Sequence, residues 1–304
     1  MSIEARHISK LYGEQKALNN VSFKISGGEI TGFLGPNGAG KSTMMKILSC
    51  FIPPSAGEAL VCGYDVQEEF NEVKKRVGYL PETNPLYLDM YVKEYLGFLA
   101  GIHNLGKKSG ARIEEMIEIT GLGLEQNKKI GQLSKGYRQR TGLAGALIHD
   151  PEVLILDEPT SGLDPNQLRD IRQLIREIGK KKTVMLSTHI MQEVEAVCDR
   201  VIIIDKGRIV ADDSVSKLAG ISGKESLVIV EFDKAIDTKL LATIPGTLEV
   251  RNPSSNVYHL LSGSDDDIRP EIFQFAVENK LSVLSMQKQQ QKLEQVFQSL
   301  TGNE

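Results

Sequence analysis

Nowhere in its 304 residues does the chain line up about 18 apolar positions, the length a membrane-crossing helix requires. It is therefore expected not to cross a bilayer. Met1 to Lys10 has no apolar core behind a basic start, so entry into the secretory route is not expected either. Cysteine is scarce: Cys50, Cys62 and Cys198 are odd in number and too far apart for metal-ligand spacing. They read as small buried hydrophobes in a reducing compartment, with the cytosol as the default. A dominant charge is also missing. Thirty-six basic against 40 acidic residues leave a net charge of -4, and no basic stripe appears, which argues against a nucleic-acid partner.

What is present is enough apolar material, 40% of the residues, to bury a core in each of two domains. Short apolar runs at Ile30 to Leu34, Val153 to Leu156, Val184 to Ser187 and Val201 to Ile204 are bounded by turn residues and separated by helical patterns. The expected fold class is α/β, with a mostly parallel, helix-covered sheet and antiparallel strands at the N-terminus. From about Leu86 to His149 helices with glycine breaks, Val92 to Ile102, Ala111 to Thr120 and Gly136 to Ile148, suggest a helical subdomain. A polar, glycine-containing stretch, Asp212 to Lys224, separates residues 1–216 from a second unit over 225–304. In that unit Ser226 to Phe232, Val257 to Leu261 and Leu281 to Met286 read as strands and Ile268 to Asn279 as a helix. Leu293, Val296, Phe297 and Leu300 line one face of a closing helix. Asp265-Asp-Asp267 reads as a solvated turn and helix start rather than a metal site.

Between a buried strand and an apolar-faced helix lies Gly35-Pro36-Asn37-Gly38-Ala39-Gly40-Lys41-Ser42-Thr43. Such a loop is built for nucleotide phosphates: its glycines let successive N–H groups turn toward an anion, and the helix adds its positive dipole end. Lys41 would meet the β and γ oxygens, and the Ser42 hydroxyl would serve the Mg2+ that bridges them. A plain glycine-rich turn is the alternative, and the strand and helix on either side oppose it.

About 115 residues on, the apolar strand Val153-Leu-Ile-Leu ends in Asp157 and Glu158, at the strand end where open α/β sheets bind ligands. Side-chain alternation would let Asp157 face the metal while Glu158 faces the water in line with the γ-phosphate. Alone, two acids after a strand mean little; behind a phosphate loop they point to nucleotide hydrolysis.

Leu133-Ser134-Lys135-Gly136-Tyr137-Arg138-Gln139-Arg140 precedes that strand by about 20 residues. Ser134 and Gly136 would open a helix and offer a second anion site, and in isolation Ser134 would be an ordinary N-cap. The octapeptide resembles the signature of the ATP-binding cassette (ABC) ATPases, and the motif order from Ile3 to about Val215 is similar to that family. The resemblance implies that Ser134 and Gly136 meet an ATP held by an opposite subunit. It implies that Tyr12 stacks on adenine, that Asp164 closes a loop crossing to the other subunit, and that His189 senses the γ-phosphate beside Glu158. Glu82 stands where the family usually has a glutamine. A carboxylate can ligate Mg2+ but adds negative charge near the phosphates, so a metal role and a solvent-facing loop residue both stay open. His7, His103, His149 and His259 have no such context.

A catalytic cassette without a membrane span is similar to the detached ATPase subunit of an exporter. Such a subunit works as a dimer, peripherally on the inner face of the cell membrane, docked on integral membrane permease subunits. The segment Tyr79-Leu-Pro-Glu82-Thr-Asn-Pro-Leu-Tyr-Leu-Asp-Met-Tyr91 most resembles the gliding-motility-associated exporter ATPases; the loop and helices after Glu82, notably Asn84 to Tyr91, would form the groove that receives a coupling helix, with helical-subdomain core as the alternative. The second unit resembles the accessory domain that supports dimerisation or regulation. A soluble cassette ATPase acting on ribosomes or DNA is the rival reading, and a purely regulatory nucleotide-binding protein is opposed by Asp157, Glu158 and His189.

Overall fold

The computed structural model describes residues 2–221, 226–263, 267–289 and 297. The chain divides into two compact units, Met1–Asp213 and Ser214–Glu304. In the first, β1 (Ile3–Tyr12), β2 (Gln15–Ile25), β4 (Ala56–Val61) and β5 (Tyr64–Asp65) form an antiparallel sheet in the order β2-β1-β4-β5. A second sheet runs β10-β9-β3-β8-β7-β6. Its strands are β3 (Ile30–Leu34), β6 (Val77–Leu80), β7 (Val153–Asp157), β8 (Thr183–Thr188), β9 (Arg200–Asp205) and β10 (Arg208–Ser214). The pairs β3 with β8 and β9, and β7 with β6 and β8, are parallel.

The central strands β3, β7 and β8 are buried along their whole length, as near-continuous apolar runs covered on both faces must be. Helix α1 (Lys41–Leu48) sits between the sheets. Its Met44, Met45, Ile47 and Leu48 share one core with Ile3, Ile8 and Ile25 of the antiparallel sheet and with Phe33, Ile155 and Met185 of the parallel one. Phe23 and Phe33, one from each sheet, pack with ring centroids 5.7 Å apart. Truncating Met44 or Met45 to Ala would cost about 2–5 kcal/mol and loosen the helix that carries Lys41 and Ser42.

Around the parallel sheet lie α2 (Phe70–Arg76), α6 (Pro165–Gly179) and α7 (Met191–Val197), while α3 (Val92–Ile102), α4 (Ser109–Ile119) and α5 (Lys135–Leu147) form the helical stretch. Non-consecutive neighbours among the parallel strands force the chain to cross over through these helices, which brings the carboxyl ends of β3, β6, β7, β8 and β9 to one edge. The phosphate loop, Asp157 and His189 all follow from that arrangement.

The second unit holds α8 (Val215–Ile221), β11 (Ser226–Phe232), α9 (Thr238–Leu241), β12 (Thr247–Ser254), β13 (Val257–Ser262), α10 (Arg269–Glu278) and β14 (Val283–Gln289). Its antiparallel sheet runs β12-β13-β11-β14 around Val228, Val230, Phe232, Tyr258 and Leu260, with Leu241, Ile272 and Ala276 from the helices. Strand β12 has no counterpart in the sequence reading: it is an edge strand with no buried residue, so no apolar alternation announces it. Asp267 accepts from the Arg269 N–H and guanidinium, which holds its carboxyl down at about 2. The expected turn residues Asp265 and Asp266 and the helix positions Leu293, Val296 and Leu300 lie outside the described residues.

The cysteines depart in part from expectation. Cys198 is buried, but Cys50 and Cys62 are only half-buried. Desolvation still pushes the Cys50 and Cys62 thiols up to about 11, so both stay protonated near neutral pH.

Candidate active site

Strand β3 runs straight into the phosphate loop, and Gly40 is the residue that makes the turn possible. It adopts φ 108° and N-caps α1; a Cβ there would stand 2.5 Å from the Ala17 carbonyl oxygen, so only glycine fits. No side chain caps α1, and its first N–H groups point into the loop as acceptor-seeking donors. Lys41 is only 6% exposed. Its ammonium donates to the carbonyl oxygens of Gly35 at 2.8 Å and Pro36 at 3.2 Å, and lies 3.4 Å from Glu158 Oε1.

An open cavity of about 590 Å³ lies over this loop. Asn37, Gly38, Gly40, Lys41, Ser42 and Thr43 line it together with Tyr12, Glu82, Glu158 and His189. Tyr12 is half exposed, with the Lys10 ammonium 5.5 Å from its ring centre. Glu82 is exposed at the rim. Burial, with Asp157 and Glu82 nearby, pushes the Tyr79 phenol up and keeps it neutral.

Asp157 and Glu158 are placed differently from what strand alternation predicts, and of the two only Glu158 lines the cavity. Asp157 is the last residue of β7; its Oδ1 accepts from Ser42 Oγ at 3.1 Å and from Ser187 Oγ at 2.5 Å. Glu158 has already left the strand, with φ 48°, the left-handed region that a residue with a Cβ seldom adopts. That turn, held by its N–H donating to Ser187 Oγ and O, swings the carboxylate beside Lys41. There it meets His189 Nδ1 at 3.0–3.1 Å, while the histidine ring stays partly exposed. A buried carboxylate, a lysine and a histidine thus converge over the phosphate loop.

Ser134, Gly136 and Asp164 do not line this cavity. Ser134 N-caps α5, its hydroxyl accepting from the Tyr137 N–H at 3.4 Å. Asp164 N-caps α6 and accepts from Asn166 and Gln167 N–H at 3.0 and 2.9 Å, so its carboxylate has a local task that the sequence reading did not assign. The two helix starts touch: the Gln167 side chain covers Gly136, and a Cβ on Gly162 would collide with the Lys135 ammonium. Lys135 therefore lies over the Ser161-Gly162-Leu163-Asp164 turn.

Sequence reasoning missed three groups. Ser187 was placed on a strand and given no task, yet its hydroxyl bridges Asp157 and the Glu158 N–H. Glu193, 2% exposed, accepts from Thr160 and Thr188. His103 and His149 stack face to face, centroids 3.9 Å apart, and His149 Nε2 contacts the Val77 carbonyl at 3.0 Å. Apart from the local Thr188–Glu193 bond, long-range packing creates these contacts; the HxxxE spacing of His189 and Glu193 was the one signal on offer.

Comparison with known proteins agrees with this geometry. The family described as "ABC transporter" matches residues 18–161. The bacitracin transport ATP-binding protein BcrA of Bacillus licheniformis is 32% identical, over 99% of this chain and 97% of that protein. The linearmycin resistance ATP-binding protein LnrL of Bacillus subtilis is 31% identical, over 99% and 98%. Among solved structures, an ATP-binding subunit of an ABC transporter superposes with a TM-score of 0.67 at 28% identity, over 73% of this chain and 94% of that one. A dimeric ATP-binding cassette in a post-hydrolysis state with ADP and Pi gives 0.64 at 27%, over 70% and 98%. Among the described residues no helix is long and apolar enough to cross a membrane. With likeness along its whole length and a phosphate loop facing a buried acid, this chain belongs to the ABC transporter family, as an ATP-hydrolysing, ATP-binding subunit of exporter type.

Proposed function

We propose that two copies, or one copy and a paired ATPase subunit, close head to tail with ATP at the seam, and that neither copy holds a complete site. The observation that carries this reading is that Ser134, Gly136 and Asp164 stand outside the cavity that Lys41, Glu158 and His189 share. Closure would bring the partner's signature helix start to the γ-phosphate. Its fixed donors would then lie where charge spreads during transfer. A structural relative solved as a dimer supports the arrangement.

Within one copy, the phosphate loop N–H groups and Lys41 hold the phosphates, and Tyr12 offers a face to the adenine. Glu158 is the base that takes the proton of the attacking water, and His189, bonded to it, fixes its direction. Ser42 and Asp157, 3.1 Å apart, are the hard oxygen donors that suit Mg2+, with exposed Glu82 as a further ligand. Mg2+ neutralises charge on the β and γ oxygens when bound.

Residues 1–216 act as the cassette and 225–304 as an accessory, dimerising unit. The chain docks on integral membrane permeases at the inner face of the cell membrane. The groove lined by Phe51, Tyr79, Pro85, Tyr95 and Leu99, with Tyr87 and Tyr91 exposed nearby, supports a coupling-helix site. Cargo of the antibiotic type is the reading we favour, because the relatives that match end to end are named for bacitracin transport and linearmycin resistance. A gliding-motility exporter is the second reading, favoured by the wording of Tyr79 to Tyr91. A ribosomal or DNA-directed role has no such support. Purification from membranes tests the assembly: a polytopic membrane protein in stoichiometric amount is expected, and ribosomal partners would overturn it. Loss of the gene is expected to raise sensitivity to bacitracin-like compounds; lost motility with unchanged sensitivity would favour the second reading.

A further inference from the structure

We propose that Glu193 is a positioning residue for hydrolysis, a buried clamp that fixes His189 against Glu158. The inference rests on the reading above, in which those two residues act together on the attacking water. Glu193 lies in the first turn of α7 and is 2% exposed. One carboxylate oxygen accepts from Thr160 Oγ1, two residues beyond Glu158. The other accepts from Thr188 Oγ1 at 2.6 Å, one residue before His189. Thr188 Oγ1 in turn accepts from the Ile190 N–H at 3.0 Å, so the backbone on both sides of His189 is tied to the same carboxylate.

Two loops leave neighbouring strands, β7 and β8, and each carries one reacting side chain. Ser187 joins the two strand ends at Asp157 and Glu158, and Glu193 adds a hydrogen bond to each loop further out, at Thr160 and Thr188. Arg172 of α6 stands 4.0 Å from the Glu193 carboxylate and links the clamp to the helix that Asp164 caps. Simple packing would be met by methionine or leucine at this position, because burying an ionised carboxylate is costly unless its bonds are used. Here each oxygen is used on a loop of the site.

The His189–Glu158 contact of 3.0–3.1 Å leaves little tolerance, and a shift of about 1 Å between reacting groups can cost about 100-fold in rate. The experiment is steady-state ATPase kinetics, ATP binding and thermal melting on the full chain. Glu193→Gln keeps one acceptor and is expected to lower kcat about 10-fold; Glu193→Met, which removes both, about 100-fold. KM and ATP affinity should stay within about 3-fold, since the phosphate loop is untouched. Thr188→Val is expected to reproduce the Glu193→Gln loss and to be non-additive with it. If Glu193→Met fails to fold, Glu193→Gln and Thr188→Val decide. Wild-type kcat in both, additive losses, or kcat, KM and melting temperature falling together would each overturn the clamp. Glu158→Gln and His189→Ala separate the two levels: normal turnover in those variants sinks the underlying reading, whereas their inactivity beside a normal Glu193→Gln sinks only the positioning role.

Discussion

Replacing Glu158 by glutamine removes one negative charge and one proton acceptor while leaving the shape of the site intact. Glu158 is 6% exposed, 3.4 Å from the Lys41 ammonium and 3.0–3.1 Å from His189. Losing a positioned base costs about 10²–10⁴ in rate, or about 3–5 kcal/mol in the barrier. ATP affinity has no reason to fall, because Lys41 keeps its bonds to the Gly35 and Pro36 carbonyl oxygens and no longer faces a carboxylate that competes with phosphate. For the same reason no buried cation is orphaned, and the fold should lose about 1 kcal/mol or less. The left-handed backbone at position 158 is shared by both side chains and cancels in the comparison. The assay is single-turnover hydrolysis beside sizing of the full chain with and without ATP. The expected result is tight ATP binding, turnover down at least about 100-fold, and an ATP-dependent dimer that persists. Turnover within a few-fold of wild type would refute the assigned base, and loss of ATP binding would refute the argument about Lys41.

Asp157→Asn keeps an amide oxygen for the Ser42 and Ser187 hydroxyls but removes the negative charge that suits Mg2+, so hydrolysis should require far more Mg2+; an unchanged Mg2+ titration would remove Asp157 and Ser42 as its holders. Gly136→Asp, which places a carboxylate on the signature helix start, should leave ATP binding by the single subunit intact and abolish ATP-driven dimerisation. Lost binding with a normal melting curve would place Gly136 in the subunit's own site instead. Burial, and then the neighbouring His103 ring, hold His149 down at about 4 against 6.5 when unfolded; Lys182 and Arg112 act in the same direction. The unfolded chain therefore binds the extra proton first: stability is full above pH 6.5 and is lost as pH falls toward about 4. On the order of 2 kcal/mol is involved, after discounting for a ring that is only partly buried. Melting temperature against pH measures it, and His149→Phe should flatten that window; an equal slope in the variant would show that other groups carry it.

Helices Val92–Ile102 and Lys135–Leu147 and strands β3, β7 and β8 were legible because burial imposes a period or a solid apolar run on the residues themselves. Edge strand β12 was not, since none of its residues is fully buried and only Val250 packs on the core, too little to set an apolar alternation. The anion-facing reading of Ser134 came from its place at a helix start together with the motif order, and the reading of Asp164 as part of a loop crossing to the opposite subunit came from the family resemblance. Locally both are helix caps, a role any serine or aspartate at a helix start would take.

By itself the sequence determined which chemistry the chain carries. The phosphate loop, the paired acids at the end of β7, the signature before it and the histidine after β8 are short local strings, and each string needs specific side chains to work. Tertiary structure alone decided how they meet. Glu158 faces Lys41 because the backbone leaves β7 through a left-handed residue, not because strands alternate. Ser187, 30 residues from Asp157, completes that acid's bonding, and Glu193 ties two loops that are neighbours only in the folded sheet. Contacts between residues far apart in the chain leave no period and no spacing to read, because they are fixed by the crossover order of a parallel sheet and not by the residues between them.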